Sequence, residues 1–164
     1  MNQMAEALKV APVPAPQVLF AEVRRFDLPD IDRHGSWFLP RFLKQYPHVN
    51  ERAAIGFIKS VLYDNEYLFL FQEKAVALFQ AVGSGGLEPA GIVWERFVWL
   101  QDPNDASQQQ AAAQFYVRAL KWAATKGCDV VHVECSSDVP RETIKAAAGR
   151  VFETQQFFLR VKGQ

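Results

Sequence analysis

The segment 90-AGIVWERFVWLQ-101 is long, apolar and rich in Val, Ile, Phe and Trp, which is the signature of a strand. A helical pattern follows over about 107–126, and Gly127 closes it in the usual C-terminal position. A second apolar strand, 128-CDVVHVEC-135, comes next. Strand, helix and strand in succession is the pattern of an α/β sheet, and the rest of the chain has to be built around it.

The flanking segments extend the pattern. In 17-QVLFAEVRRF-26, two-residue alternation puts Leu19, Ala21 and Val23 on one face of a first strand. Asp27 caps a helix that has Pro29 in its first turn. That helix, within 31–49, should kink or split at Gly35 and Pro40. Asn50 caps the next helix, 51–64, with Ala54, Phe57, Ile58, Val61 and Leu62 as its buried stripe. A hairpin, 66-EYLFLFQ-72 and 75-AVALFQAV-82, turns around Gln72, Glu73 and Lys74. The loop 83-GSGGLEP-89 leads into the long strand. After residue 135 come the loop 136–140, a short helix at 141–150 and a last strand at 151–163.

The expected order is β-α-α-β-β-β-α-β-α-β, in one mixed-sheet α/β domain over residues 17–164. Ahead of it, Pro12, Pro14 and Pro16 make residues 1–16 an extended arm, either a disordered tail or a segment that orders against a partner subunit.

The chain has 164 residues and equal counts of Lys plus Arg and Asp plus Glu, 18 each, so its net charge is zero. Binding to nucleic acid or a membrane surface through bulk charge is therefore not expected. No apolar run reaches the roughly 18 residues of a transmembrane helix. The two cysteines, Cys128 and Cys135, fall at opposite ends of one strand, too far apart for a disulfide. Two free thiols point to a reducing, cytoplasmic setting. The three histidines have no metal-ligand spacing, so no metal site is expected.

The turn 98-VWLQDPNDASQQQAAAQFYV-117 and the segments 119-ALKWAATKG-127, 129-DVVHVEC-135 and 146-AAAGRVFETQQFFLRVKG-163 resemble the GCN5-related N-acetyltransferases (GNAT), the acyl-CoA N-acyltransferase fold, over about residues 18–163. The segment 94-WERFVWLQDP-103 is also similar to acetyltransferase-like proteins encoded by tailed bacteriophages. The ending FFLRVKG is similar to that of small internal proteins of such virions.

The resemblance implies a GNAT-like sheet, acetyl-CoA as cofactor and an amine as acceptor. It also implies a general base, at Glu95 in the long strand. Alternation puts Glu95 on the face of Val93, Phe97 and Trp99, and Trp94 and Trp99 on opposite faces. An apolar face should raise the glutamate's pKa. A structural partnership with a base on the next strand is the other reading. Cofactor-binding positions fall in the turn, at Leu100, Asp102, Gln108, Ala111 and Ala113.

The family's loop glycines are missing. One register puts them at Gln110 and Ala112; a register one residue later puts Gln108 at the first polar position and Ala111 and Ala113 at the glycines. Ser107 followed by Gln110 forms a capping box that would use the N–H groups a phosphate needs, and Asn104 and Asp105 offer further local caps, Asp105 adding negative charge near the would-be pyrophosphate. The acid tyrosine of the family is replaced by Lys145. Two functions remain: a non-catalytic module that packs against a protein partner or assembles with itself, with a phage particle as one setting, or an N-acetyltransferase.

Overall fold

The computed structural model describes residues 22–83, 91–134 and 138–148, and the backbone of 151–153 and 157–160. The elements are β1 (Arg24–Arg25), α1 (Leu28–Gln45), α2 (Glu51–Tyr63), β2 (Tyr67–Gln72), β3 (Ala75–Val82), β4 (Gly91–Leu100), α3 (Ala106–Thr125), β5 (Cys128–Val133), α4 (Arg141–Ala148), β6 (Val151–Glu153) and β7 (Phe157–Arg160). They form one seven-stranded sheet in the order β1-β2-β3-β4-β5-β7-β6. The β4–β5 pair is parallel and the others antiparallel. This is the mixed α/β architecture and element order that the resemblance implied, with one difference. The expected last strand is two short strands, β6 and β7, paired antiparallel.

Helices cover both faces. On one side α1 and α2 bury Phe38, Phe42, Ala54 and Ile58 against Phe69, Phe71, Leu78, Phe97 and Trp99. On the other, α3 lays Ala112, Phe115, Tyr116 and Ala119 against Leu70, Phe79, Val93, Val98 and Val131. The small residues of α3 let the helix approach the strands closely. Because both faces are covered, β2 and β3 are apolar almost without alternation.

The start of α1 is held by Asp30. Its carboxylate accepts from the Asp27 N–H at 2.9 Å and takes both guanidinium ends of Arg24, at 2.7 and 2.6 Å. The expected interruption at Gly35 and Pro40 does not occur; α1 runs unbroken. Proline removes one helical N–H, but Phe38 and Phe42 are buried on either side of it and pin both halves to the sheet. Asn50 caps α2 as expected, its Oδ1 accepting from Ala53 N at 2.8 Å. Phe57, expected in the α2 stripe, is instead 37% exposed. At the end of α3, Gly127 has φ of 68°, the left-handed conformation that favours glycine there. In the expected first strand, Leu19 and Ala21 lie outside the described residues, and only Arg24–Arg25 pair.

The main departure from simple alternation is in β4. Leu78 faces Phe97, while Phe79 faces Glu95, so Arg96 has no partner across the ladder. This is a β-bulge, and it reverses the facing of everything beyond it. Val93 and Glu95 point toward α3, but Phe97 and Trp99 point toward α1 and α2. The expected common face for Glu95, Phe97 and Trp99 is therefore corrected. Trp94 and Trp99 pair with Gln80 and Val76, so they share a face instead of lying on opposite ones.

Candidate functional site

β5 pairs with β4 only as far as Trp94 opposite His132. Beyond that point β4 continues to Leu100 with no β5 partner, and a cleft opens between the two strands. The cleft holds a cavity of about 170 Å³ bordered by Gln45, Glu95, Arg96, Trp99 and Glu134.

Glu95 is 4% exposed, and its Oε2 accepts from the Tyr116 hydroxyl at 3.0 Å. Desolvation raises its pKa to about 8; the Tyr116 hydrogen bond opposes the rise, and the nearby charge of Glu134 adds to it. At neutral pH the carboxyl keeps its proton. A general base has to be ionised, and at pH 7 only a minor fraction of Glu95 is. Among the described residues no base pairs with it; its partner is the Tyr116 phenol.

The turn that follows β4 is filled by its own side chains. Asp105 is the cap of α3, and its Oδ1 accepts from Ser107 N at 2.8 Å and Gln108 N at 3.1 Å. The Ser107 hydroxyl donates to the same oxygen at 2.5 Å. This hydrogen bond, more than any other cause, holds the Asp105 carboxyl below the usual range. The helix is thus capped from within the chain, as expected, and by Asp105, one of the further caps the sequence offered. The expected Ser107–Gln110 box does not form, because Ser107 already lies inside the first turn.

Gln108 is buried and its Oε1 accepts from Asp102 N at 2.8 Å. Gln109 Nε2 donates to the carbonyls of Pro103 and Asp138, both at 2.7 Å, while its Oε1 accepts from Thr143 at 3.1 Å. Asp138 completes the closure. Its Oδ2 accepts from Leu100 N at 3.0 Å and pairs with Arg41 at 2.6 Å, and Arg41 also donates to Leu100 O at 3.2 Å.

Of the five expected cofactor positions, Leu100, Asp102 and Gln108 are brought together at this turn. Ala111 faces the core and Ala113 is half-buried further along the helix. A pyrophosphate would need the N–H groups at the start of α3. Those of Ser107 and Gln108 already serve a carboxylate, which also repels an anion. The residues present do not fit the coenzyme's pyrophosphate.

Sequence reasoning missed Asp138, Arg41 and Gln109 as the residues that close the turn, and Tyr116 as the partner of Glu95. No spacing or motif marks them, because each acts across a fold-level contact. Lys145, at the expected acid position, is exposed on α4. His132 is buried beneath the Trp94 ring, with centroids 4.2 Å apart. Cys128 is buried and free, and Cys135 lies outside the described residues. Among the described residues, no cluster of His, Cys, Asp or Glu could hold a metal, and no helix is long and apolar enough to cross a membrane.

No family model and no curated protein matches the chain. Solved structures similar to it include two acetyltransferases. One is the aminoglycoside antibiotic 6'-N-acetyltransferase AAC(6')-Ig from Acinetobacter haemolyticus, with 14% identity, 65% of this chain and 74% of that chain covered, and a TM-score of 0.49. The other is an acetyltransferase of the GNAT family from Streptococcus pneumoniae, with 9% identity, 84% and 95% covered, and a TM-score of 0.49.

Proposed function

We propose that this chain is a non-catalytic member of the acetyltransferase-like fold, acting as a packing or interaction module. The observation that carries the reading is the closed turn after β4. Asp105 takes the helix N–H groups, and Asp138 takes Leu100 N. Glu95, mostly protonated at pH 7 and bound to Tyr116, supports it further. The partner on this reading is another protein or a second copy of the chain. The similarity of FFLRVKG to virion proteins makes a phage particle the setting to examine first.

The test is calorimetric titration with acetyl-CoA and with CoA. No heat up to millimolar ligand is expected, whereas micromolar binding of either would overturn the reading. Light scattering over a concentration series then separates self-assembly from a need for a different protein.

One observation favours the other reading, an N-acetyltransferase. Glu95 borders the cavity in the β4–β5 cleft, and its pKa of about 8 would let it take a proton in mildly alkaline solution. Turnover of acetyl-CoA with an amine acceptor, lost in Glu95→Gln and rising through about pH 8, would support that reading.

A further inference from the structure

A cavity larger than that of the β4–β5 cleft lies elsewhere in the molecule. It lies between the α1–α2 pair and the sheet, with a volume of about 420 Å³. That is within the range of small-molecule pockets. Its walls are aromatic. Phe42 and Phe57 have centroids 5.9 Å apart, Phe57 and Tyr67 are 6.2 Å apart, and Phe42 and Phe97 are 6.3 Å apart. Phe57, whose exposure is unexpected for a helix stripe, lines this pocket. Burial also raises the Tyr46 hydroxyl's pKa, as expected for a phenol placed against apolar walls.

One cation is aimed at this pocket. Arg96 is the extra residue of the β4 bulge, and its guanidinium reaches Gln80 on the pocket side of the sheet. Its Nε donates to Gln80 Oε1 at 2.8 Å, and Nη2 donates to the same oxygen. This acceptor is neutral. The ion pairs among the described residues do not include Arg96. Arg96 also borders the smaller neighbouring cavity beside Glu134, whose charge reaches Tyr46, but the two form no ion pair. An apolar chamber with a guanidinium at its wall that no described carboxylate pairs with is complementary to a molecule with an apolar body and one anionic end. An ammonium end would meet like charge.

We propose that this pocket binds a small amphipathic carboxylate, with its hydrocarbon or aryl body among Phe42, Phe57, Tyr67 and Phe97 and its carboxylate on Arg96. The pocket and α3 are on opposite faces of the sheet, so the proposal is independent of whether the turn after β4 accepts a coenzyme.

The test is calorimetric titration of the full chain with octanoate, octanamide and octylamine, which share one body and differ in the end group. Octanoate should bind at least about tenfold more tightly than octylamine, with the amide between them. Arg96→Gln should erase the order, and Arg96→Lys should keep part of it. Phe57→Ala should weaken octanoate and octanamide alike. Because Arg96 and Phe57 both reach solvent, the variants should fold as the parent does. The proposal is overturned by equal binding of the three probes, by an Arg96→Gln variant that still prefers octanoate, or by no heat with millimolar octanoate. A dimer in light scattering that shows no octanoate binding would make a second copy the occupant instead, and would overturn it as well.

Discussion

The Tyr116 hydroxyl on α3 and the Glu95 carboxyl on β4 meet at 3.0 Å inside the core, both almost fully buried. A carboxyl in such a place is favoured in its neutral form. Burial here outweighs the hydrogen bond and lifts the pKa from the ordinary 4.5 to about 8.

That shift predicts the pH dependence of stability. Between about pH 4.5 and pH 8 the folded state holds a proton on Glu95 that the unfolded state has lost. Its contribution is therefore fully present below about pH 4.5 and falls as pH rises, until it levels off above about pH 8. The slope from this group approaches about 1.4 kcal/mol per pH unit. Urea unfolding across this range should show the decline. Glu95→Gln should flatten it, and a variant with an unchanged slope would mean that the proton is elsewhere.

Tyr116→Phe removes the donor and keeps the ring. It should cost about 1–2 kcal/mol in urea unfolding. The hydrogen bond lowers the Glu95 pKa, so its loss should move the plateau to higher pH. A thermal scan alone would miss this second effect; unfolding at several pH values reads both.

The Asp138–Arg41 pair should be among the costlier contacts to break. The Asp138 side chain is 5% exposed and serves both Arg41 and Leu100 N, while Arg41 is 35% exposed. Asp138→Ala should cost about 3 kcal/mol, toward the low end for a broken buried pair because one partner reaches solvent. Adding Arg41→Met should recover part of the loss. Strict additivity in this double-mutant cycle would show that the two residues do not act together.

Capping of α3 gives a rank order. Asp105→Ala should lower the thermal midpoint more than Ser107→Ala, because Asp105 holds two backbone N–H groups and Ser107 only supports it. Gln110→Ala should change little, since Gln110 is exposed and forms no capping box. The reverse order would restore the Ser107–Gln110 box.

Gly127→Ala puts a Cβ on a residue with φ of 68°. Nothing crowds the position, so the cost is conformational alone, about 1–2 kcal/mol in urea unfolding. A neutral result would mean that the turn after α3 relaxes to another conformation.

What could be read from the sequence was local. Asn50 at the start of α2, Gly127 after α3, the Glu73–Lys74 turn and the strand-helix-strand centre each depend on residues close in the chain. Pro40 misled because a proline's local cost was weighed without the burial of Phe38 and Phe42 beside it. Ser107 misled because the capping box is a short motif, and Asp105, two residues earlier, competes for the same N–H groups.

By itself the sequence determined the order of the elements, their approximate ends and the mixed α/β class, because caps, turns and hydrophobic periodicity act over a few residues. Only the tertiary structure decided which way Glu95 and Arg96 face. β4 is covered on both sides, so its residues are apolar on both, and no alternation marks where a one-residue bulge falls. The bulge turns Glu95 toward Tyr116 and Arg96 toward the aromatic pocket. The closing of the turn after β4 was also decided in three dimensions, because it depends on Arg41 and Asp138, which are brought together only when α1 and the segment before α4 pack against the end of β4.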